Sequence, residues 1–264
     1  MDGGDAIGKS FFYGKTDDGL VTANMITYDK DDRKVASIVD EKNALVYQIF
    51  PDVHGNEIVR KTGANDFPPE IDPPDEDDVT KIEGENRLLQ NVPEGVRNLQ
   101  DDGSILDVMV VWTKQAECHN SGLAKGCTVD STTMNNIRAL IDLAVSETNV
   151  AYNLSGVQTQ LRLVHAYRSN TYDEDGNGFS GSLTKLRENN DGVLDEVHPK
   201  RSQYGADVVA LIISDPAFCG IANLGPSIGS MFSVTGYNCA TGYFSFGHEI
   251  GHNLVREKMT VNVT

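Results

Sequence analysis

Residues 63–78, GANDFPPEIDPPDEDD, hold four prolines and seven carboxylates. Pyrrolidine rings fix the backbone and like charges repel, so this composition favours extended chain over a packed element. We read 63–103 as an acidic, proline-rich linker, with calcium binding or mimicry of an acidic inhibitor as the alternatives for such a charge run. The chain is therefore expected to fold in two parts, residues 1–62 and 104–264.

The first part reads as a small β-rich domain. Short apolar stretches at 11–13, 20–28, 34–39 and 44–50 are separated by Asp17-Asp18-Gly19 and by the acidic turn at 29–32. Strands joined by such turns are the simplest account. The second part opens on Ile105–Trp112, a continuous apolar run of strand length expected to be buried on both faces. After it, Ile137, Leu140, Ile141, Ala144, Val145, Thr148, Ala151 and Tyr152 recur at helical spacing, with N-cap candidates at Ser131, Thr132 and Thr133 and stop signals at Asn153 and Gly156. Residues 158–167 alternate as a strand, with His165 read as a packed residue. Helical segments are expected at 182–187 and 194–204, and 206–213 reads as a third buried strand. Strand, helix, strand, helix, strand predicts an α/β (α+β) layered sheet with right-handed crossovers.

Twenty-two basic against 39 acidic side chains give a formal charge of −17. Such a surface repels nucleic acid, which is excluded as a partner. No apolar run approaches the roughly 20 residues needed for a membrane span. Residues 1–9 carry no basic flank and no apolar stretch of signal-peptide length, so either the protein stays inside the cell or its natural start lies elsewhere. Four cysteines allow three pairings. Pairing close in sequence, Cys118 with Cys127 and Cys219 with Cys239, is the simplest, and four free thiols are the alternative. Two bridges imply an oxidising, secretory or extracellular compartment. Sequons at Asn153 and Asn262 are compatible with it.

Residues 173–178 place Asp173, Asp175, Asn177 and Gly178 at the spacing of the first half of a calcium loop. Thr184 then stands where a bidentate Glu is required, so a polar loop between strand and helix is expected.

The chemistry lies in residues 244–254, FSFGHEIGHNL. Residues four apart on a helix lie one above the other, so His248 and His252 can aim imidazole nitrogens at one ion. Imidazole suits zinc, and the expected cofactor is one catalytic Zn2+ that keeps a position open for water. Glu249 projects differently and is free to act as general base on that water. Phe244, Phe246, Ile250 and Leu254 supply the apolar side of a half-buried helix lining a cleft.

Cys219-Gly220-Ile221-Ala222, Cys239 and His248 through Leu254 resemble the reprolysin (adamalysin-like) branch of the metzincin zinc endopeptidases, with a likeness extending over about 105–254. The resemblance implies a metzincin-like catalytic domain at 104–264, with a twisted mixed sheet and an active-site helix. It also implies a protein or peptide substrate laid along residues 231–234, Met231 to Val234, as an antiparallel edge strand. The region before Gly63 is similar to a propeptide, and it has no cysteine with which to occupy a metal.

The pattern departs after Leu254. Metzincins continue H-E-x-x-H-x-x-G-x-x-H, whereas here Val255 stands at the turning glycine and Lys258 at the third ligand. Val-Arg can be encoded by GTAAGA, which resembles a splice donor, and the expectation is that VREKMTVNVT is translated intron and the catalytic domain incomplete. Two ligands alone predict weak zinc binding and little peptidase activity. A secreted non-catalytic pseudopeptidase and an acidic calcium-binding protein are the competing functions, and the intact His248, Glu249 and His252 favour the enzyme.

Overall fold

A computed structural model of the chain describes residues 8–74, 104–225 and 227–254. The expectations for 75–103 and 255–264 lie outside the described residues.

The N-terminal part is an antiparallel meander in which each strand pairs with the next: β1 (Lys9–Lys15), β2 (Val21–Tyr28), β3 (Arg33–Asp40), β4 (Leu45–Pro51) and β5 (Glu57–Gly63). One face is buried. Asn24, Ile26 and Tyr28 of β2, Val35 and Ser37 of β3, and Val46 and Gln48 of β4 follow the two-residue period of a half-buried sheet. The fifth strand, EIVRKTG, was not legible, because it is an exposed edge strand with polar residues on both faces. Beyond it the stretch expected as free linker is packed where it is described. A single 3-10 turn spans Ala64–Asp66, and residues 67–72 then lie against the second half of the molecule.

That half is built on a mixed sheet of order β7-β6-β8-β10-β9. Its strands are β6 (Ile105–Trp112), β7 (Gln160–Arg168), β8 (Val208–Ile213), β9 (Gly220–Ala222) and β10 (Phe232–Gly236), all parallel except β9, which runs antiparallel to β10. Helices cover both faces. Val108, Val110 and Trp112 of β6 pack with Ile137, Ile141 and Ala144 of α2 (Ser131–Leu154) and with Phe246 and Ile250 of α5 (Ser245–Leu254). Met109 and Val111 face the other way, towards Phe179, Leu183 and Leu186 of α3 (Gly178–Arg187) and Val197 of α4 (Val197–Tyr204). Alternate residues thus enter different cores, which is why the run in β6 is apolar throughout. A short α1 (Lys114–Asn120), not anticipated, follows β6. The true N-cap of α2 is Asp130, which accepts from the amides of Thr132 and Thr133 while Thr133 Oγ1 accepts from its own amide.

One expectation is overturned. Residues 231–234 do not form an antiparallel edge strand: β10 is interior, parallel to β8 on one side and antiparallel to β9 on the other. The edge is β9, whose three residues are too few to read as a strand in the sequence.

Helix α2 lies between the two sheets, with Ala139 and Leu143 packing on Ile26, Tyr28 and Val35. The same interface is polar at its centre. Ser37 Oγ donates to Oε1 of the fully buried Glu147, and the Gly242 amide donates to its Oε2 at 2.8 Å. Gly242 has φ +76°, and a Cβ there would sit 2.5 Å from Val46 Cγ1, so only glycine allows this approach. Burial raises the Glu147 carboxyl to about 7, against 4.5 for a free side chain. A raised folded-state value means that the protonated acid favours the folded form. This stability is full below about pH 4.5 and is lost as pH rises through about 7, an upper bound of about 3 kcal/mol. Glu147→Gln, which cannot ionise, is expected to lack that decline. Urea midpoints of the two proteins across pH 4 to 8 check it, since other titrating groups cancel in the difference.

Candidate metal centre

Helix α5 starts after Phe244, a non-glycine residue at φ +65°. It is seated by Phe246 and Ile250, both inaccessible to solvent, and each apolar side chain buried in this way contributes about 1.5–3 kcal/mol. Helix α2 approaches closely at Gly247, whose carbonyl accepts from Tyr152 Oη at 2.9 Å. At the other end Asn253 Nδ2 reaches the main-chain oxygens of Asn223, Ser230 and Phe232 at 2.8, 3.0 and 3.1 Å, tying the helix to the connection between β9 and β10. Sequence reasoning missed Asn253, because its partners lie 21–30 residues away and carry no motif.

These contacts fix the face that α5 presents. His248 is exposed and His252 half-buried, one turn apart, and their Nε2 atoms stand 3.0 Å from each other with the rings at 87°. Nitrogens at that separation can both reach one ion at the usual zinc–imidazole distance of about 2.0–2.1 Å. Burial, and then the neighbouring His248, pull His252 below the usual imidazole range against the opposing charge of Asp72, so the neutral, ligating form is favoured. His252 Nδ1 is buried without a hydrogen-bond partner.

Glu249 lies between them in sequence but on another face, fully buried against Gly220 of β9, where an added Cβ would meet its Oε1 at 2.5 Å. Neither of its oxygens accepts a hydrogen bond from an amide, hydroxyl or cationic group, and the carboxyl it faces is that of Glu70. Burial first, and then the Glu70 carboxyl beside it, drive Glu249 well above the carboxylate range. Two convergent ring nitrogens on one helix face suit a divalent cation such as zinc. Among the described residues no group of three or more His, Cys, Asp or Glu converges, whereas a catalytic zinc site uses three protein ligands.

Both cysteine pairs form as expected: Cys118 with Cys127 (Cα–Cα 5.8 Å) and Cys219 with Cys239 (5.3 Å). The second joins the start of β9 to the connection ahead of α5. The acidic loop at 173–178 is closed on itself. Asp173 accepts from Gln115 at 2.9 Å, Asp175 pairs with Lys125, and the Asn177 amide nitrogen faces the Asp173 and Asp175 carbonyls. Its oxygens are engaged by protein donors, as a polar loop requires. His165 is packed, its ring stacked on Tyr204 at 3.8 Å.

A helix carrying His-Glu-x-x-His, laid against a mixed sheet whose edge strand runs antiparallel beside it, defines a metzincin-like metallopeptidase domain. Residues 138–256 match the family described as Metallo-peptidase family M12B Reprolysin-like. The chain is similar to proteins named peptidyl-Asp metalloendopeptidase. The one from Stenotrophomonas maltophilia is 41% identical over 118 residues, 44% of this chain and 28% of the relative. That from Xanthomonas campestris pv. campestris is 37% identical over 146 residues, 55% and 31%. That from Pseudomonas aeruginosa is 30% identical over 166 residues, 56% and 24%. The chain thus matches less than a third of the length of these relatives. Among the described residues no helix is long and apolar enough to cross a membrane.

Proposed function

We propose that the chain is the metal-ligating part of a secreted, zinc-dependent endopeptidase, in which residues 1–62 form a propeptide-like domain and 104–264 the catalytic domain. His248 and His252 are its zinc ligands and Glu249 its general base. The observation that carries this reading is the 3.0 Å approach of two imidazole Nε2 atoms on one helix face. Bound zinc supplies a water of lowered pKa and a Lewis acid for the scissile carbonyl. Glu249 takes the proton from the attacking water and returns it to the leaving amine, which requires its carboxylate form. Edge strand β9, beside Glu249, offers the main-chain groups on which an extended peptide aligns, in place of the 231–234 segment. The name of the relatives supports peptides containing aspartate as substrates, and the two disulfides support an oxidising compartment.

The chain dialysed against excess zinc is expected to hold one ion, with weak affinity from the two described ligands, and any peptide hydrolysis it shows should stop with a chelator. Absence of bound zinc at saturating concentration, or cleavage that survives the chelator, contradicts the proposal.

A further inference from the structure

We propose that Asn153 is the acceptor of an N-linked oligosaccharide, whose first sugars lie in the apolar groove between β1 and the last turns of α2. The inference rests on the reading of a secreted protein and not on the metal, so its test needs no zinc.

The triplet Asn153-Leu154-Ser155 straddles the end of α2, and all three residues are exposed. Main-chain bonds close the turn there: the Ser155 amide donates to the Ala151 carbonyl at 3.0 Å, the Gly156 amide to Asn153 at 3.1 Å and the Val157 amide to Tyr152 at 2.9 Å. The left-handed residue of the turn is Gly156, at φ +75°, so the cap itself calls for neither the Asn153 nor the Ser155 side chain. Asn-x-Ser is an acceptor triplet, and it belongs at the surface of a secreted protein. Room is available as well, since a Cβ added at Gly156 would meet no atom within 4 Å. Transfer joins Asn153 Nδ2 to the anomeric carbon of a lipid-diphosphate-linked oligosaccharide. The anomeric carbon–oxygen bond breaks, the lipid diphosphate leaves, and the amide proton passes to a base of the transferase.

Asn153 also lines a groove of about 720 Å³, together with Phe11 and Tyr13 of β1, Val145 and Leu154 of α2 and Leu163 of β7. Phe11 is 57% exposed and Leu154 63%. Large apolar side chains open along one groove mark a surface that something covers. A sugar ring suits this lining, because its C–H faces pack on aromatic and apolar side chains while its hydroxyls bond polar groups. Lys9 and Asp142, paired at 2.7 Å, put such polar groups on the same lining. A further strand is a poorer occupant: β1 is an edge strand bounded by Lys9 and Lys15, and lysines there discourage strand addition. The acceptor itself decides for the glycan. An oligosaccharide attached at Asn153 is tethered to the groove and has a high effective concentration in it without tight intrinsic binding.

Mass spectrometry of the full chain, sent through the secretory pathway of a eukaryotic host by a cleavable signal, tests this. Trypsin cuts after Arg138 and Arg162, so residues 139–162 form one peptide that carries this triplet and not the one at Asn262. Amidase release of the glycan turns an occupied Asn153 into aspartate. That conversion is expected in essentially every copy of the wild type and of Ser155→Thr, and the glycosylated peptide is expected to be lost in Asn153→Gln and Ser155→Ala. Stripping the glycan from the folded wild type should raise binding of an apolar dye at least about twofold, and Phe11→Ser with Leu154→Ser should abolish that rise. An unmodified 139–162 peptide from protein holding both disulfides refutes the glycan, and the same peptide from protein with free cysteines overturns the secretion reading with it. Dye binding unchanged by removal of the glycan refutes the groove as its seat. His248→Ala, which removes a proposed zinc ligand, should carry the same glycan, so the zinc reading and this one fail separately.

Discussion

Exchanging His252 for alanine is expected to weaken zinc binding by the chain about 100-fold while leaving its thermal midpoint nearly unchanged. A tetrahedral four-ligand structural site contributes about 10–16 kcal/mol, so one ligand accounts for roughly 3 kcal/mol, or about two decades in affinity. With His252 gone, His248 is the only described imidazole on that face of α5, and the 3.0 Å convergence no longer exists. The fold has little to lose. His252 is half-buried and its Nδ1 makes no hydrogen bond, whereas the adjacent Asn253, which anchors the helix through three carbonyls, is untouched. Glu249→Gln is the companion: it keeps both imidazoles and so the zinc affinity, but removes the base and should lower any hydrolysis about 10²–10⁴-fold. Calorimetric zinc titration with melting curves for the wild type, His252→Ala and Glu249→Gln reads all of this. Equal zinc affinity in wild type and His252→Ala removes the imidazole pair from consideration.

How much of this was open to a reader of the sequence depends on the range of the interactions. The spacing of His248 and His252 is local, and helix geometry alone places them together, so the pair was legible. The same holds for β6, where apolar side chains enter two cores and leave an unbroken run, and for α2, whose stripe at Ile137, Ile141 and Ala144 meets the sheet. Long-range pairings were not. Strand β9 consists of three residues and exists because β10 lies beside it. Once β9 takes the edge, β10 must be interior, which reverses the role expected of residues 231–234. The acidic, proline-rich composition of 63–78 reads as an unpacked linker and says nothing about a partner, whereas residues 67–72 are packed after the 3-10 turn at Ala64–Asp66. Pro69 and Ile71 are placed by hydrogen bonds to Cys219 and Gly220, roughly 150 positions further on, where no local pattern could indicate them. The carboxyl of Glu70 beside Glu249 is invisible in sequence for the same reason.

Glu117→Ala is expected to destabilise the chain by about 3–5 kcal/mol, a larger effect than any change at the metal-binding face. Glu117 is wholly buried at 0% exposure, and it gathers three donors from different elements: the Trp112 indole nitrogen at 2.7 Å, Thr133 Oγ1 at 2.6 Å and an Arg168 guanidinium nitrogen at 3.1 Å. These partners sit at the end of β6, in the first turn of α2 and at the end of β7, so one carboxylate joins two strands to two helices. Alanine leaves the fully buried indole N–H without an acceptor and the guanidinium, at 30% exposure, without its counter-charge. Each stranded group carries its own desolvation cost. Glutamine retains one acceptor oxygen but turns an amide donor towards other donors, so Glu117→Gln should cost less, about 1–3 kcal/mol. Urea unfolding with an unchanged slope measures both. Because Trp112 packs in the same cluster as Phe246 and Ile250, loosening it should also speed amide exchange in α5, which carries the two histidines. A loss below about 1 kcal/mol in Glu117→Ala is the size expected of a solvated surface pair, and would show that this carboxylate is not the joint its burial implies.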